Sequence, residues 1–283
     1  MKKIEQIIAE ELNIKVQQVE NTIKLIDEGN TIPFIARYRK EVTGGLSDEV
    51  LRTFGERLNY LRNLEKRKEE VTNSIEEQGK LTEEIVKDLE NAITLAEVED
   101  IYRPYKPKKK TRATVAKAKG LEPLAEIILA QEETKNIQEI AAEYISEEKE
   151  VKTVEEAIQG ALDIIAEMIS DNPEYRKLIK QIVYSKGIIK TTATKPEEKS
   201  AYEMYYDYSE NVNKIPSHRI LAINRGEKEE FLKVKIEKEE DKILEKIEKD
   251  IIKGENQFTQ YLKDTIQDSF KRLIEPSIDR ELR

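Results

Sequence analysis

Ser47–Gly79 reads SDEVLRTFGERLNYLRNLEKRKEEVTNSIEEQG. Its apolar residues recur at Leu51, Phe54, Leu58, Leu61 and Leu64, then at Val71 and Ile75. That is the three-and-four spacing of one helical face. Ser47 suits the N-cap, where a hydroxyl accepts from a free backbone amide, and Asp48 and Glu49 suit the positive helix end. Gly79 ends the run. A helix from Ser47 to about Gln78 is too long for a bundle of short helices and predicts a lever or spine. The expected class is therefore mainly α: an elongated multi-helix assembly with a long central helix, a possible helix-turn-helix and one or two short strands.

Upstream, a helix is expected around Ile4–Leu12. Val16, Val19, Ile23 and Ile26 mark a second one, with Gly29 as its stop. Ile32–Leu46 (IPFIARYRKEVTGGL) follows. Pro33 fits a first helical turn, because its missing N–H has no partner there. Phe34 and Tyr38 lie one turn apart and can share a face, which reads as core. Arg37, Arg39 and Lys40 fall near the helix end, where free carbonyls favour cations. Gly44-Gly45 offers positive φ for a sharp exit.

Downstream, Thr82 opens a helix carrying Ile85, Val86, Leu89 and Ile93. Thr94 with Glu97, and Thr153 with Glu156, form capping boxes. The second box starts a helix patterned by Ala157, Ile158, Ala161, Leu162, Ile165 and Met168. Asn172-Pro173 begins another, closed by Gly187. Ile188–Thr194 and Phe231–Ile236 are the two strand candidates. Ile243, Leu244, Ile247 and Ile251 make charge-dense Lys238–Lys253 an amphipathic helix. Phe258, Leu262, Ile266, Phe270 and Leu273 carry a helical pattern up to Arg283, which reads as a truncation. Three segments are expected: 1–46, an N-terminal helical unit with the possible helix-turn-helix; 47–187, a helical body with the long helix and a basic loop at 102–112; and 188–283, helical with short strands.

Composition narrows the function classes. Hydrophobic and charged residues each make up 38% of the 283 residues, and the formal net charge is −9. The chain as a whole does not attract nucleic acid, so such binding needs local basic patches. There are no cysteines, which excludes disulfides, thiol nucleophiles and iron–sulfur clusters. No P-loop, Gly-x-Gly-x-x-Gly or His-Glu-x-x-His is present. The start lacks a signal-peptide run and no stretch is long and apolar enough to span a bilayer, so a cytoplasmic protein is expected.

Several segments carry a family resemblance: Ile32–Leu46, Arg57–Lys68 (RLNYLRNLEKRK), Glu99–Arg112 (EDIYRPYKPKKKTR), Gly120–Ala125 (GLEPLA), Ile215–Glu227 (IPSHRILAINRGE) and Pro276–Arg283. Together and in this order they resemble the N-terminal region of the bacterial Tex family, transcription accessory proteins related to a eukaryotic transcription elongation factor. The resemblance implies a role in transcription and a helix-turn-helix in the opening region. It also implies an RNase H-like domain, helix-hairpin-helix units and an S1-type OB-fold RNA-binding domain after residue 283.

The candidate contacts are cationic. Arg103, Lys106, Lys108, Lys109, Lys110 and Arg112 form a run without acids, followed by Lys117 and Lys119. Tyr102 and Tyr105 interleave, and Pro104 and Pro107 keep the loop extended. Such a segment can follow phosphates and stack bases, or be a solvated loop whose tyrosines pack on neighbouring helices. The resemblance tips the balance toward binding. Arg37, Arg39 and Lys40 read first as complements of a helix dipole that pair with acids elsewhere, and second as phosphate contacts. Arg219 and Arg225 are weaker phosphate candidates. Arg225-Gly226 also reads as a helix end, and Ser217 as a helix cap. His218 is the sole histidine, and Ser217 beside it does not make a convergent nucleophile and base. Asp163 and Glu167 share a face and read as solvent-facing acids. No catalytic residue, metal ligand or cofactor is assigned. The expectation is a non-catalytic module making weak, non-specific contact with RNA or DNA through the basic loop, or positioning the downstream domains. The alternative is a scaffold docking on the transcription or translation machinery.

Overall fold

The computed structural model describes residues 3–132 and 135–283. Backbone contacts divide the chain into two compact units, Met1–Tyr102 and Arg103–Arg283. The first holds α1 (Ile4–Leu12), α2 (Val16–Asp27), α3 (Ile32–Tyr38), α4 (Asp48–Glu77), α5 (Glu83–Asn91) and α6 (Leu95–Tyr102). The spine helix α4 runs for 30 residues, and α1, α3, α5 and α6 pack against it. Every apolar residue expected on its inner face is buried, from Leu51 to Ile75. Lys68 fills the gap in that stripe. Its stem is buried and its Nζ reaches Glu65 at 3.1 Å and the Glu90 carbonyl at 3.3 Å. The caps form as expected. Val50 N–H donates to Ser47 Oγ at 3.2 Å, and Thr94 and Glu97 exchange bonds of 3.1 and 3.2 Å.

The second unit holds α7 (Arg112–Ala118), α8 (Glu122–Ala130), α9 (Ile137–Ala142), α10 (Val154–Asp171), α11 (Pro173–Lys186), β1 (Ile188–Ala193), β2 (Asp207–Asn211), α12 (Ser217–Lys228), β3 (Leu232–Glu237), α13 (Glu240–Ile251), α14 (Thr259–Asp268) and α15 (Glu275–Glu281). α10 is the centre, packed by α7, α8, α9 and α14. Its buried face runs through Ile158, Ala161, Ile165 and Ile169; Met168, expected in that stripe, is half exposed, and Ile169 takes the inward position instead. Glu156 N–H donates to Thr153 Oγ1 at 3.1 Å, but the Glu156 carboxylate accepts from Lys152 N–H at 2.8 Å, so the box closes one residue early.

The class is mainly α, with a sheet of three antiparallel strands in the order β2-β1-β3 rather than one or two strands. Ile189 of β1 faces Glu210 of β2 and Ile236 of β3. β2 reads DYSEN, poor in the β-branched residues that mark strands, and it pairs as an edge on β1.

Two local expectations are corrected. Pro216 occupies the N-cap of α12, so Ser217 is its first residue and caps nothing. Gly226 does not end that helix, which continues to Lys228, and Glu230 takes the left-handed conformation instead (φ 62°). Gly226 is buried, and a Cβ there would lie 2.7 Å from Leu232 Cδ1. The glycine permits close packing of β3 on the helix.

A π turn, Ser269–Ile274, joins α14 to α15. Pro276 follows two residues after it, as the second residue of α15. Its ring would clash with the carbonyl four residues back and it has no N–H to donate, which disfavours an α-helical ladder at this point. The π turn puts Ile274, rather than Leu273, on the buried face between Phe270 and Ile278.

Candidate nucleic-acid interface

The loop between α6 and α7 does not present all of its cations to solvent. Lys108 folds back onto α10, bonding Asp171 and lying 3.4 Å from Glu167. Arg103 Nε lies 3.4 Å from Asp171 Oδ1, and its guanidinium reaches Ser277 Oγ at 3.4 Å. Asp163, Glu167 and Asp171 are spaced one turn apart along α10 and form an acidic ladder beneath the loop. Their side chains are only 12%, 17% and 10% exposed. Reading Asp163 and Glu167 as solvent-facing is thereby corrected. Burial pushes Asp171 up from the usual carboxylate range, with the Lys108 hydrogen bond opposing it. Burial likewise raises Asp163, against Arg272 at 3.6 Å.

The far end of the loop is open. Lys109, Lys110 and Arg112 are exposed, and Lys109 and Lys110 make no ion pair among the described residues. Lys106 is exposed as well. Thr111 caps α7, accepting from Thr114 N–H at 3.0 Å, which fixes where the loop enters the helix. Lys110 and Arg112 rim a cleft of about 570 Å³ between α7 and α10, with Gln159 and Asp163 on its other wall. Lys117 pairs with Glu122 at 3.0 Å and Lys119 donates to the Glu150 carbonyl at 2.8 Å, so neither extends the open run.

The remaining candidates separate. Tyr102 is buried, lies under Arg67 (5.4 Å to its ring centroid) and hydrogen-bonds Ser74 at 3.0 Å, so it is a packing residue of the first unit. Arg219 is engaged by Glu210 at 2.9 Å and by the Tyr208 hydroxyl at 3.0 Å. Arg225 is exposed on α12. Arg37, Arg39 and Lys40 are all exposed in the first unit, and the expected acid partners are absent among the described residues. Tyr38, read as core, is 57% exposed.

Sequence reasoning missed the pairing inside the basic run. The signal was present in the spacing of Asp163, Glu167 and Asp171, but nothing local says which loop lies over that face.

Comparison with known proteins places the chain. Residues 2–76 match the Tex-like protein N-terminal domain, and residues 132–283 match the Tex central region-like family. The chain belongs to the Tex family. It is 51% identical to the uncharacterized protein YdcI of Bacillus subtilis over 99% of this chain and 40% of that protein. It is 39% identical to the transcriptional accessory protein Tex of Neisseria gonorrhoeae, over 84% of this chain and 31% of that protein. It is 31% identical to the S1 RNA-binding domain-containing protein 1 of Pongo abelii, over 99% of this chain and 29% of that protein. The chain thus spans about 30–40% of the length of these relatives. Among the described residues no helix is long and apolar enough to cross a membrane.

Proposed function

We propose that this chain is a non-catalytic module of a Tex-like transcription accessory protein, and that it touches nucleic-acid phosphates through Lys109, Lys110 and Arg112. One observation carries the reading. Among the described residues, Lys109 and Lys110 stand exposed and without an ion pair, next to each other, on a loop whose near end is latched to α10 by Lys108. A latched base holds the outer cations at a fixed height, so less chain entropy is lost on contact. Such contacts position a backbone and carry no base specificity. The names of two relatives, a transcriptional accessory protein and an S1 RNA-binding domain-containing protein, agree with nucleic acid as the partner.

The test is fluorescence anisotropy of labelled single-stranded RNA and duplex DNA across a salt series. The doubly substituted Lys109→Ala/Lys110→Ala chain is expected to bind more weakly and to show a salt slope lower by about two phosphate contacts. Binding of parental strength and slope would remove the loop from the interface and favour the scaffold reading.

A further inference from the structure

The stretch Ile32–Leu46 leaves its most costly side chains in water. Ile35 is fully buried and anchors α3 against α4. Phe34 and Tyr38 point the other way, 37% and 57% exposed, with ring centroids 5.2 Å apart at 48° to each other. Arg39 lies with its guanidinium carbon 5.5 Å from the Phe34 centroid, and that of Arg37 lies 6.0 Å from the Tyr38 centroid. Lys40 is exposed beside them, and Glu41 is the sole carboxylate in the stretch.

This patch is held, not loose. Asn21 Nδ2 donates to the Val42 carbonyl at 3.1 Å, and Gln18 Nε2 donates to the Thr43 and Gly44 carbonyls at 3.1 and 3.2 Å. Thr43 is buried and donates to the Lys40 carbonyl at 3.2 Å. Gly44 and Gly45 take φ of 66° and 83° and turn the chain away. Elsewhere in this unit the arginines are matched to acids: Arg57 to Glu11 at 2.5 Å, Arg62 to Asp27 at 2.7 Å and Arg67 to Glu99 at 2.6 Å. Three cations with no acid partner among the described residues, interleaved with two exposed rings on a pinned backbone, match the chemistry of a flexible anion that carries flat apolar faces.

We propose that Phe34 and Tyr38 form a stacking platform for the bases of single-stranded nucleic acid, with Arg37, Arg39 and Lys40 on the flanking phosphates. A duplex hides its base faces inside the helix, so the platform selects unpaired strands, and because every base has a π-face it is tolerant of sequence. This rests on the reading of the chain as a nucleic-acid module, but it places a second contact of different chemistry in the other unit.

The test uses the full 283-residue chain, a fluorescein-labelled oligouridylate and an RNA duplex of the same length. Phe34→Ala/Tyr38→Ala is expected to weaken oligouridylate binding by roughly five- to 150-fold for each base unstacked. Its salt slope and duplex binding should stay parental, because stacking releases no counterions. Tyr38→Phe should bind like the parent, and Arg37→Gln/Arg39→Gln should flatten the slope. Circular dichroism should be unchanged in all of these variants, and melting should fall only slightly in the aromatic variant, where Phe34 is 37% exposed. Parental oligouridylate affinity in the aromatic variant overturns the platform, as does an equal loss on the duplex. The basic loop is judged separately. Loss only in Lys109→Ala/Lys110→Ala retains the loop and removes the platform, loss only in the aromatic variant does the reverse, and no binding by the parent removes both.

Discussion

Lys108 and Lys109 are adjacent in sequence and opposite in use: one is latched to Asp171 and Glu167, the other is free in water. Latching gives Lys108 a structural task that composition does not reveal. A similar logic governs Arg176, which is fully buried, and Glu281, which bonds it and also pairs with Lys180 at 2.6 Å. Burial works against the Glu281 charge, but Lys180 and Arg176 prevail and hold it below the usual carboxylate range. A carboxylate depressed in the folded state stabilises above its unfolded value and loses that contribution as pH falls through the folded one. Glu281→Gln is expected to cost about 1–2 kcal/mol in urea unfolding at neutral pH, a modest figure because the side chain is 35% exposed. The deficit should shrink as the pH drops below the ordinary carboxylate range. A deficit independent of pH would show that lost packing, not charge, was responsible. Asp171 and Asp163, raised by burial, run the other way: their contribution is present at low pH and is lost as pH rises through their folded values.

At the scale of elements, legibility followed the range of the interactions. α4, the caps of Ser47, Thr82 and Thr94, and the exit at Gly44-Gly45 were readable, because periodicity, capping and positive φ are decided within a few residues. β2 was not readable, since Asp207–Asn211 is a strand only through its partner β1. Gly226 and Gly187 show the same limit, because each is required by a close approach rather than by its own φ. Gly187 sits between α11 and β1 with φ −66°, where a Cβ would lie 2.3 Å from the Val183 carbonyl oxygen and 3.1 Å from Val212 Cγ2. Backbone cannot step aside as a side chain can. Gly187→Ala is expected to destabilise by about 1–3 kcal/mol in urea unfolding. A neutral result would mean that this joint relaxes freely. The exposed aromatic face of α3 was misread for the opposite reason: its spacing is that of a buried stripe, and only the tertiary structure shows which side faces α4.

For the whole molecule, an excess of 58 acids over 49 bases leaves nucleic-acid contact to restricted patches. The class was legible because helices dominate and announce themselves locally. The acidic ladder under the basic loop was not, because its meaning lies in residues some 60 positions away. The π turn at Ser269–Ile274 carries a consequence for the chain as a length of polymer. A π turn accommodates one more residue than an α turn without changing the direction in which the following helix faces. The second unit therefore carries one residue of slack at that place. Deleting Lys271, which is exposed, should let the turn close while α15 still presents Ser277 and Glu281 to Arg176, with melting near the parent. Deleting Gln267, one turn earlier in α14, has no such slack and would rotate one side of the helix against the other by about 100°. Loss of cooperative melting in that second deletion, and not in the first, would mark the turn as a point where this tightly phased unit tolerates a change of length.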